Sequence, residues 1–186
     1  MKAKNTPTPS GVPFGFDATD RAILELLQEN CKQPLAAIGA KVGLSAPAVV
    51  DRIHKLEEAG VIKAYTAQLD ARRLGRDVTA FIGVSTDRPG ALSAVESEVS
   101  AIDDVLECHH VTGVHSLLVK VKTHNTETLE ELIELLRSLT GVARTETMVV
   151  LSTHTERSRI ALVADGEDAT PPRRPPGGRR ARRVSR

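Results

Sequence analysis

Apolar positions follow a helical period up to residue 60 and an alternation of strand and helix periods from residue 79 to 152. After Asp17, a residue suited to capping, Ile23, Leu24 and Leu27 line one side of a first helix that ends near Asn30. Leu35, Ile38 and Val42 mark a short second helix reaching about Lys41, and Gly43 supplies a sharp turn with positive φ. Ser45 then caps a third helix. Pro47 is tolerated in its first turn, Val49, Ile53 and Leu56 recur at i, i+4 and i+7, and Gly60 terminates it. Two helices joined by so tight a turn read as a helix-turn-helix, and the extended-looking Val61 to Leu69 makes it a winged or strand-extended one.

Beyond Asp70 the period changes. Thr79 to Ser85 is expected as a strand, and Pro89 to Ala101 as a helix burying Leu92, Val95 and Val99. Val105 to Val111 and Leu117 to Lys122 follow as strands with Gly113 at their turn. Thr126 to Leu139 buries Leu129, Leu132, Ile133 and Leu136, Gly141 stops it, and Thr145 to Ser152 is the last strand. The order βαββαβ predicts a ferredoxin-like domain, an antiparallel sheet with two helices on one face, so the chain is expected to be α+β. The expected organisation is a flexible arm over 1–15, the helix-turn-helix over 16–62, a linker strand over 63–77, the ferredoxin-like domain over 78–155 and a disordered arginine-rich tail over 165–186.

Composition narrows the function. Trp is absent and aromatics make up 2% of 186 residues, so the core is aliphatic and stacking platforms for bases or sugars are disfavoured. The net charge of +1 hides an asymmetry: without Arg173, Arg174, Arg179, Arg180, Arg182, Arg183 and Arg186, 18 basic residues face 24 acidic ones, a balance of −6. Any nucleic-acid face on the body is therefore local. The two cysteines are too few for a disulfide framework, no apolar run approaches the ~20 residues of a membrane span, and the start lacks the apolar stretch of a secretory signal. The expected location is cytoplasmic, at the nucleoid. No nucleophile with base and orienting partner and no glycine-rich phosphate loop stands out, so neither enzymatic activity nor a cofactor is expected.

Double-stranded DNA is the partner that the third helix fits. Its exposed first turn would enter a major groove, with the positive end of the helix dipole toward phosphate. Ser45, Pro47, Ala48, Arg52, His54 and Lys55 are the candidate contacts. Arg52, mid-helix, either reaches DNA or pairs with an acidic neighbour. Asp51 would repel phosphate, so it either accepts from a cytosine amino group or, as expected here, faces away. Cys108, His109, His110 and His115 suggest a metal, but on a strand Cys108 and His110 share a face opposite His109, so no metal site is expected.

Several motifs in register resemble the leucine-responsive/asparagine-responsive (Lrp/AsnC) family of prokaryotic transcription regulators. They are Asp17-Ala18-Thr19-Asp20-Arg21-Ala22-Ile23-Leu24, Gly43-Leu44-Ser45, the run Arg52 to Ile62, Tyr65, Leu74-Gly75, Val111-Thr112-Gly113 and Gly141 to Thr147, and together they cover roughly Phe16 to Thr155. The resemblance implies a homodimer built through the C-terminal sheets, often assembling further to octamers, with small molecules, usually amino acids, bound between dimers in the C-terminal domains. It places the effector site near Gly113, His115, Ser116, Thr145 and Thr147. One departure is that the family's acidic residue three positions after the glycine is here Ser116, which supplies no charge for a ligand's ammonium. Two alternatives stand beside this reading: a nucleoid-architectural DNA-binding protein without effector, and an enzyme similar to the sirohaem decarboxylases, whose histidines would correspond to His109, His110 and His115.

Overall fold

The computed structural model describes Gly15 and residues 17–162, and the expected N-terminal arm and arginine-rich tail lie outside these residues. The chain divides into two compact units, one built from the residues up to Thr66 together with those from Ser158 onward, the other from Ala67–Arg157. No described helix is long and apolar enough to cross a membrane.

In the first unit, α1 (Ala18–Glu29) begins with a capping box. The Asp17 carboxylate accepts the Asp20 N–H at 2.8 Å, and the Asp20 carboxylate accepts the Asp17 N–H at 3.2 Å. Helix α2 (Leu35–Val42) ends at Gly43, whose φ of 73° lets the chain turn directly into α3 (Ala46–Glu58). Ile23, Ile38 and Val49, one from each helix, are fully buried and meet Leu26, Leu27, Val42, Leu44 and Ile53. Each such side chain contributes about 1.5–3 kcal/mol by leaving water. The turn is tight because Gly39 has no side chain: a Cβ there would stand 2.4 Å from the Leu44 carbonyl oxygen. Residues 158–162 return to α1, where the Gln28 side chain bonds both backbone groups of Ile160.

The second unit runs β1 (Val78–Thr86), α4 (Leu92–Val99), β2 (Val105–His110), β3 (Leu117–Thr123), α5 (Thr126–Ser138) and β4 (Val142–Val149). The sheet order is β2-β3-β1-β4 and every neighbouring pair is antiparallel, which is the expected ferredoxin-like arrangement. Alternate residues Ala80, Ile82 and Val84 on β1 and Leu117, Val119 and Val121 on β3 face Val95, Val99, Leu129, Leu132 and Leu136 of the helices in one core. Asn125 caps α5, its side chain accepting the Thr128 N–H at 2.9 Å.

Three expectations are corrected. Val61 to Leu69 forms no strand, because no described segment of this chain pairs with it, and the linker carries instead a 3-10 turn at Arg72–Leu74. The helix expected over 89–101 is shorter, since its first turn winds as a 3-10 turn at Pro89–Ala91. The last strand lies three residues earlier than the expected Thr145 to Ser152. Gly141, at φ 97°, redirects the chain so abruptly that pairing starts at once with Val142 opposite Thr86.

Replacing Gly39 by Ala is expected to lower the stability of the helix-turn-helix unit by about 1–3 kcal/mol, the usual cost of overpacking against backbone that cannot retreat. Urea unfolding followed by circular dichroism checks this. An unchanged midpoint would show that the turn relaxes freely.

Candidate functional site

Helix α3 has one side in the core and the other bare. Val49 and Leu56 are buried, while Pro47, Val50, Asp51, His54 and Lys55 are exposed and Ala48 is half-buried. Ser45 takes its capping role, its hydroxyl accepting the Ala48 N–H at 3.4 Å. His54 Nδ1 lies 3.3 Å from Glu58 Oε1, one turn on, with both side chains mostly in solvent. Five of the six expected contacts thus lie on the side of α3 away from the core, and Asp51, expected to face away, is exposed among them. Arg52 does not join them: its Nη1 donates at 2.7 Å to both Asp17 Oδ2 and Asp20 Oδ1, bracing α3 against the start of α1. The second reading of Arg52, pairing with acidic neighbours, is the one that holds. Val50, 43% exposed, was not among the expected contacts; lying outside the buried stripe at 49, 53 and 56 was its only signal.

The N-terminal cap shapes the local titration. The Asp20 N–H, and then the Arg52 guanidinium, hold the Asp17 carboxyl below its ordinary 3.8. Just past α3, the Tyr65 hydroxyl donates to Glu57 Oε1 at 2.9 Å; desolvation, then that carboxylate, push the phenol up to about 12.

In the second unit the expected effector residues separate. Gly113, at φ 123°, His115 and Ser116 form the turn between β2 and β3 and line a cleft of about 390 Å³ with Thr86, Asp87, Arg88 and His110. Thr145 and Thr147 do not reach it. They pair with Val84 and Ile82 and so share the helix-covered face, where Thr145 accepts the Arg137 Nε–H at 2.9 Å. Within this chain Gly113, His115 and Ser116 lie together, and Thr145 and Thr147 lie apart from them. Ser116 Oγ lies 3.1 Å from Thr86 Oγ1 and 3.3 Å from the Thr86 N–H. The His115 ring lies against Gly83, where an added Cβ would stand 2.4 Å from it, with Nδ1 3.3 Å from Ser85 Oγ and Nε2 3.6 Å from Glu146 Oε2. Asp87 and Arg88, 4.0 Å apart, bring one charge of each sign to the cleft. They went unread because an Asp-Arg pair before Pro-Gly looks like ordinary turn polarity.

Both units match models of one family: residues 16–57 match the AsnC-type helix-turn-helix domain, and residues 79–160 the Lrp/AsnC ligand binding domain. The HTH-type transcriptional regulator FL11 of Pyrococcus horikoshii is 37% identical over 147 residues, spanning 79% of this chain and 97% of that protein. The chain belongs to the Lrp/AsnC family of transcriptional regulators. The regulatory protein AsnC of Escherichia coli is 32% identical over 141 residues, covering 73% of this chain and 90% of that one. The solved E. coli AsnC structure superposes with a TM-score of 0.74 at 27% identity over 78% of this chain and 99% of that one. A Neisseria meningitidis transcriptional regulator in complex with L-Met gives 0.74 at 26% identity over 79% and 97%.

In this Lrp/AsnC regulator the sheet face away from the helices is laced with ion pairs. Lys120 Nζ reaches Glu107 at 3.0 Å and Glu156 at 2.8 Å, and each carboxyl is held below its ordinary value, first by the Lys120 hydrogen bond. The register separates the remaining candidate ligands: Cys108 and His110 face the helices opposite Val119 and Leu117, and His109 faces outward opposite Leu118. No group of three or more His, Cys, Asp or Glu able to hold a metal occurs among the described residues.

The Asp17 and Arg52 pairing sets an acid-side signature. A carboxyl lowered in the fold contributes stability that is full above its unfolded value of 3.8 and is lost as pH falls through the lower folded value. Unfolding midpoints of the helix-turn-helix unit should therefore drop as pH falls below 3.8, and Arg52→Ala should lower the neutral-pH midpoint and reduce that acid-side dependence. Midpoints for both proteins across the acid range check this. Identical pH profiles would remove Arg52 from the network.

Proposed function

We propose that this regulator binds specific duplex sites by placing the bare side of α3 from each of two copies into successive major grooves, and that it acts by binding rather than by chemistry, at the nucleoid. The observation that carries this reading is the division of α3: a capped, braced and buried inner side against an outer side of Pro47, Val50, Asp51, His54 and Lys55. Ser45 and the first-turn N–H groups suit a phosphate, the Val50 methyls suit a thymine methyl, and His54 and Lys55 lie one turn further on. Two copies pairing through the open sheet faces, where Phe81 and Leu118 are half-buried and Met148 is 47% exposed, would bring two such helices to one site. Higher assembly to octamers would use further surfaces, because a two-fold face-to-face pair is closed. The boundaries we assign are the helix-turn-helix over 16–62, a linker over 63–77 and the ferredoxin-like domain over 78–155.

The cleft beside Gly113 is the proposed effector site, and its chemistry fits a small zwitterion. Asp87 faces an ammonium and Arg88 a carboxylate, so Asp87 provides the negative charge that Ser116 lacks. The L-Met held by the Neisseria regulator belongs to this ligand class. Effector binding would shift assembly or DNA affinity through its differential affinity for the two states.

Fluorescence anisotropy on DNA from upstream of its own gene, against scrambled duplex, tests the DNA reading. Val50→Ala and His54→Ala should each narrow the preference, by about tenfold for a good base contact. Lys55→Ala should weaken both duplexes alike and reduce the salt slope by about one. Equal binding to both duplexes by the unaltered protein would sink the specific-regulator reading.

For the cleft, thermal shift against a panel of amino acids and the corresponding 2-oxo acids should pick out amino acids, with the response abolished in Asp87→Asn. A response to 2-oxo acids alone would overturn the zwitterion assignment.

A further inference from the structure

The cleft beside Gly113 has a support that lies outside it. Asp87 and Arg88 sit on a short loop between the end of β1 and the start of α4, and that loop meets the turn from α5 into β4 at two points. Both points are on Gly141. Its carbonyl oxygen accepts the Asp87 N–H at 3.0 Å, and a Cβ on it would stand 2.5 Å from the Ala91 Cβ. Asp87 and Ala91 are the two ends of the loop that carries Arg88, so one residue holds the loop at both ends.

Neither contact has slack. Ala91 is 6% exposed, and its N–H is bonded to the Arg88 carbonyl at 3.1 Å in the 3-10 turn. Val95, fully buried in the core one turn further on, has a methyl 3.5 Å from the same Cβ position. Gly141 itself is at φ 97°, where a side chain would be strained whatever the space around it. The residue after it, Val142, pairs with Thr86 where the β1–β4 register shifts. The loop therefore leaves β1 from a paired residue, is bonded at its next residue, and enters α4 against a glycine with room for no more than a hydrogen.

Such fixing matters for a ligand with two opposite charges. An ammonium and a carboxylate borne on one carbon stand at a set separation, and groups already spaced to match them bind without a cost of ordering. The side chains of Asp87 and Arg88 are 48% and 68% exposed, so the backbone of their loop decides where each charge starts. We propose that Gly141 is the positioning residue of the cleft: by holding the loop at Asp87 and at Ala91 it sets the spacing of Asp87 and Arg88 to that of an α-amino acid. The proposal rests on the zwitterion reading of the cleft. Gly141 acts through the loop and not on the ligand, since it does not line the cleft.

The test uses the full-length chain in four forms: unaltered, Gly141→Ala, Ala91→Val, and Gly141→Ala combined with Ala91→Gly. Hydrogen exchange at the Asp87 amide reports the loop. Calorimetric titration with the L-α-amino acids, and then with the β-homologue of the tightest, reports the spacing, because the charges of the β form lie one carbon further apart. Gly141→Ala and Ala91→Val crowd one contact from its two sides, and Ala91→Val leaves the backbone at Gly141 alone, so it carries the test should Gly141→Ala fail to fold. Each should speed exchange at Asp87 and weaken the α-amino acid by about tenfold, while the β-homologue changes by less than about twofold. Adding Ala91→Gly removes the methyl that the new one meets and should restore most of both losses. Unchanged exchange at Asp87 in the single variants overturns the proposal, and so does equal weakening of the α and β forms, which is what a general loss of structure would give. Failure of every amino acid to bind the unaltered protein is a separate failure, that of the zwitterion reading, and exchange at Asp87 then still decides whether Gly141 holds the loop.

Discussion

A helix that reads a groove must be immobile on one side and bare on the other, and in this protein Arg52 reconciles the two demands. Its guanidinium bridges Asp17 and Asp20, the two carboxylates that form the capping box of α1. One network therefore starts the first helix and orients the third. It also answers an electrostatic difficulty. Two carboxylates near a surface that must approach phosphate would repel it, and pairing both with one planar cation disperses that field while keeping the geometry fixed. Both bonds leave one nitrogen, Nη1, so a single cationic group is seated between the two carboxylates.

Features set by neighbouring residues were legible in the sequence. Asp17 and Ser45 cap helices, the turn at Gly43 and the stop at Gly60 both have positive φ, and the stripe of Ile23, Ile38 and Val49 closes the three-helix core. The alternation on β1 and β3 was equally readable, because a sheet with one buried face repeats every second residue. Features set by distant partners were not. The direction of Arg52 depends on residues 32 and 35 positions earlier, and the Gln28 clamp on a residue 132 positions later. Thr145 and Thr147 looked like pocket residues from their resemblance to family positions, yet register turned both toward the helices and matched Thr145 with Arg137. Val61 to Leu69 has strand composition but no partner in its own chain, and composition without a partner makes no ladder.

Ser116 fastens the turn as well as lining the cleft. Ser116 donates its backbone N–H to Val84 at 2.9 Å, and its side chain meets Thr86, so the turn at Gly113 is fastened to the end of β1. A carboxylate at that position could still accept from the Thr86 N–H and hydroxyl but would bring a second negative charge to the cleft that Asp87 lines. Serine thus permits the negative charge of the cleft to come from β1's end.

The next residue back, His115, carries the same turn onto the opposite side of the sheet, where its ring covers Gly83 and touches Ser85 and approaches Glu146. The turn therefore lines the cleft and, through the His115 ring, also borders the open face. A ligand that binds between Asp87 and Arg88 can change that face only if it favours one position of this turn over another, since equal affinity for both positions would shift nothing. Because Gly83 has no Cβ to hold the ring off, His115 lies flat on the open face of the sheet, and the turn that carries Gly113 at φ 123° belongs at once to the cleft and to that face.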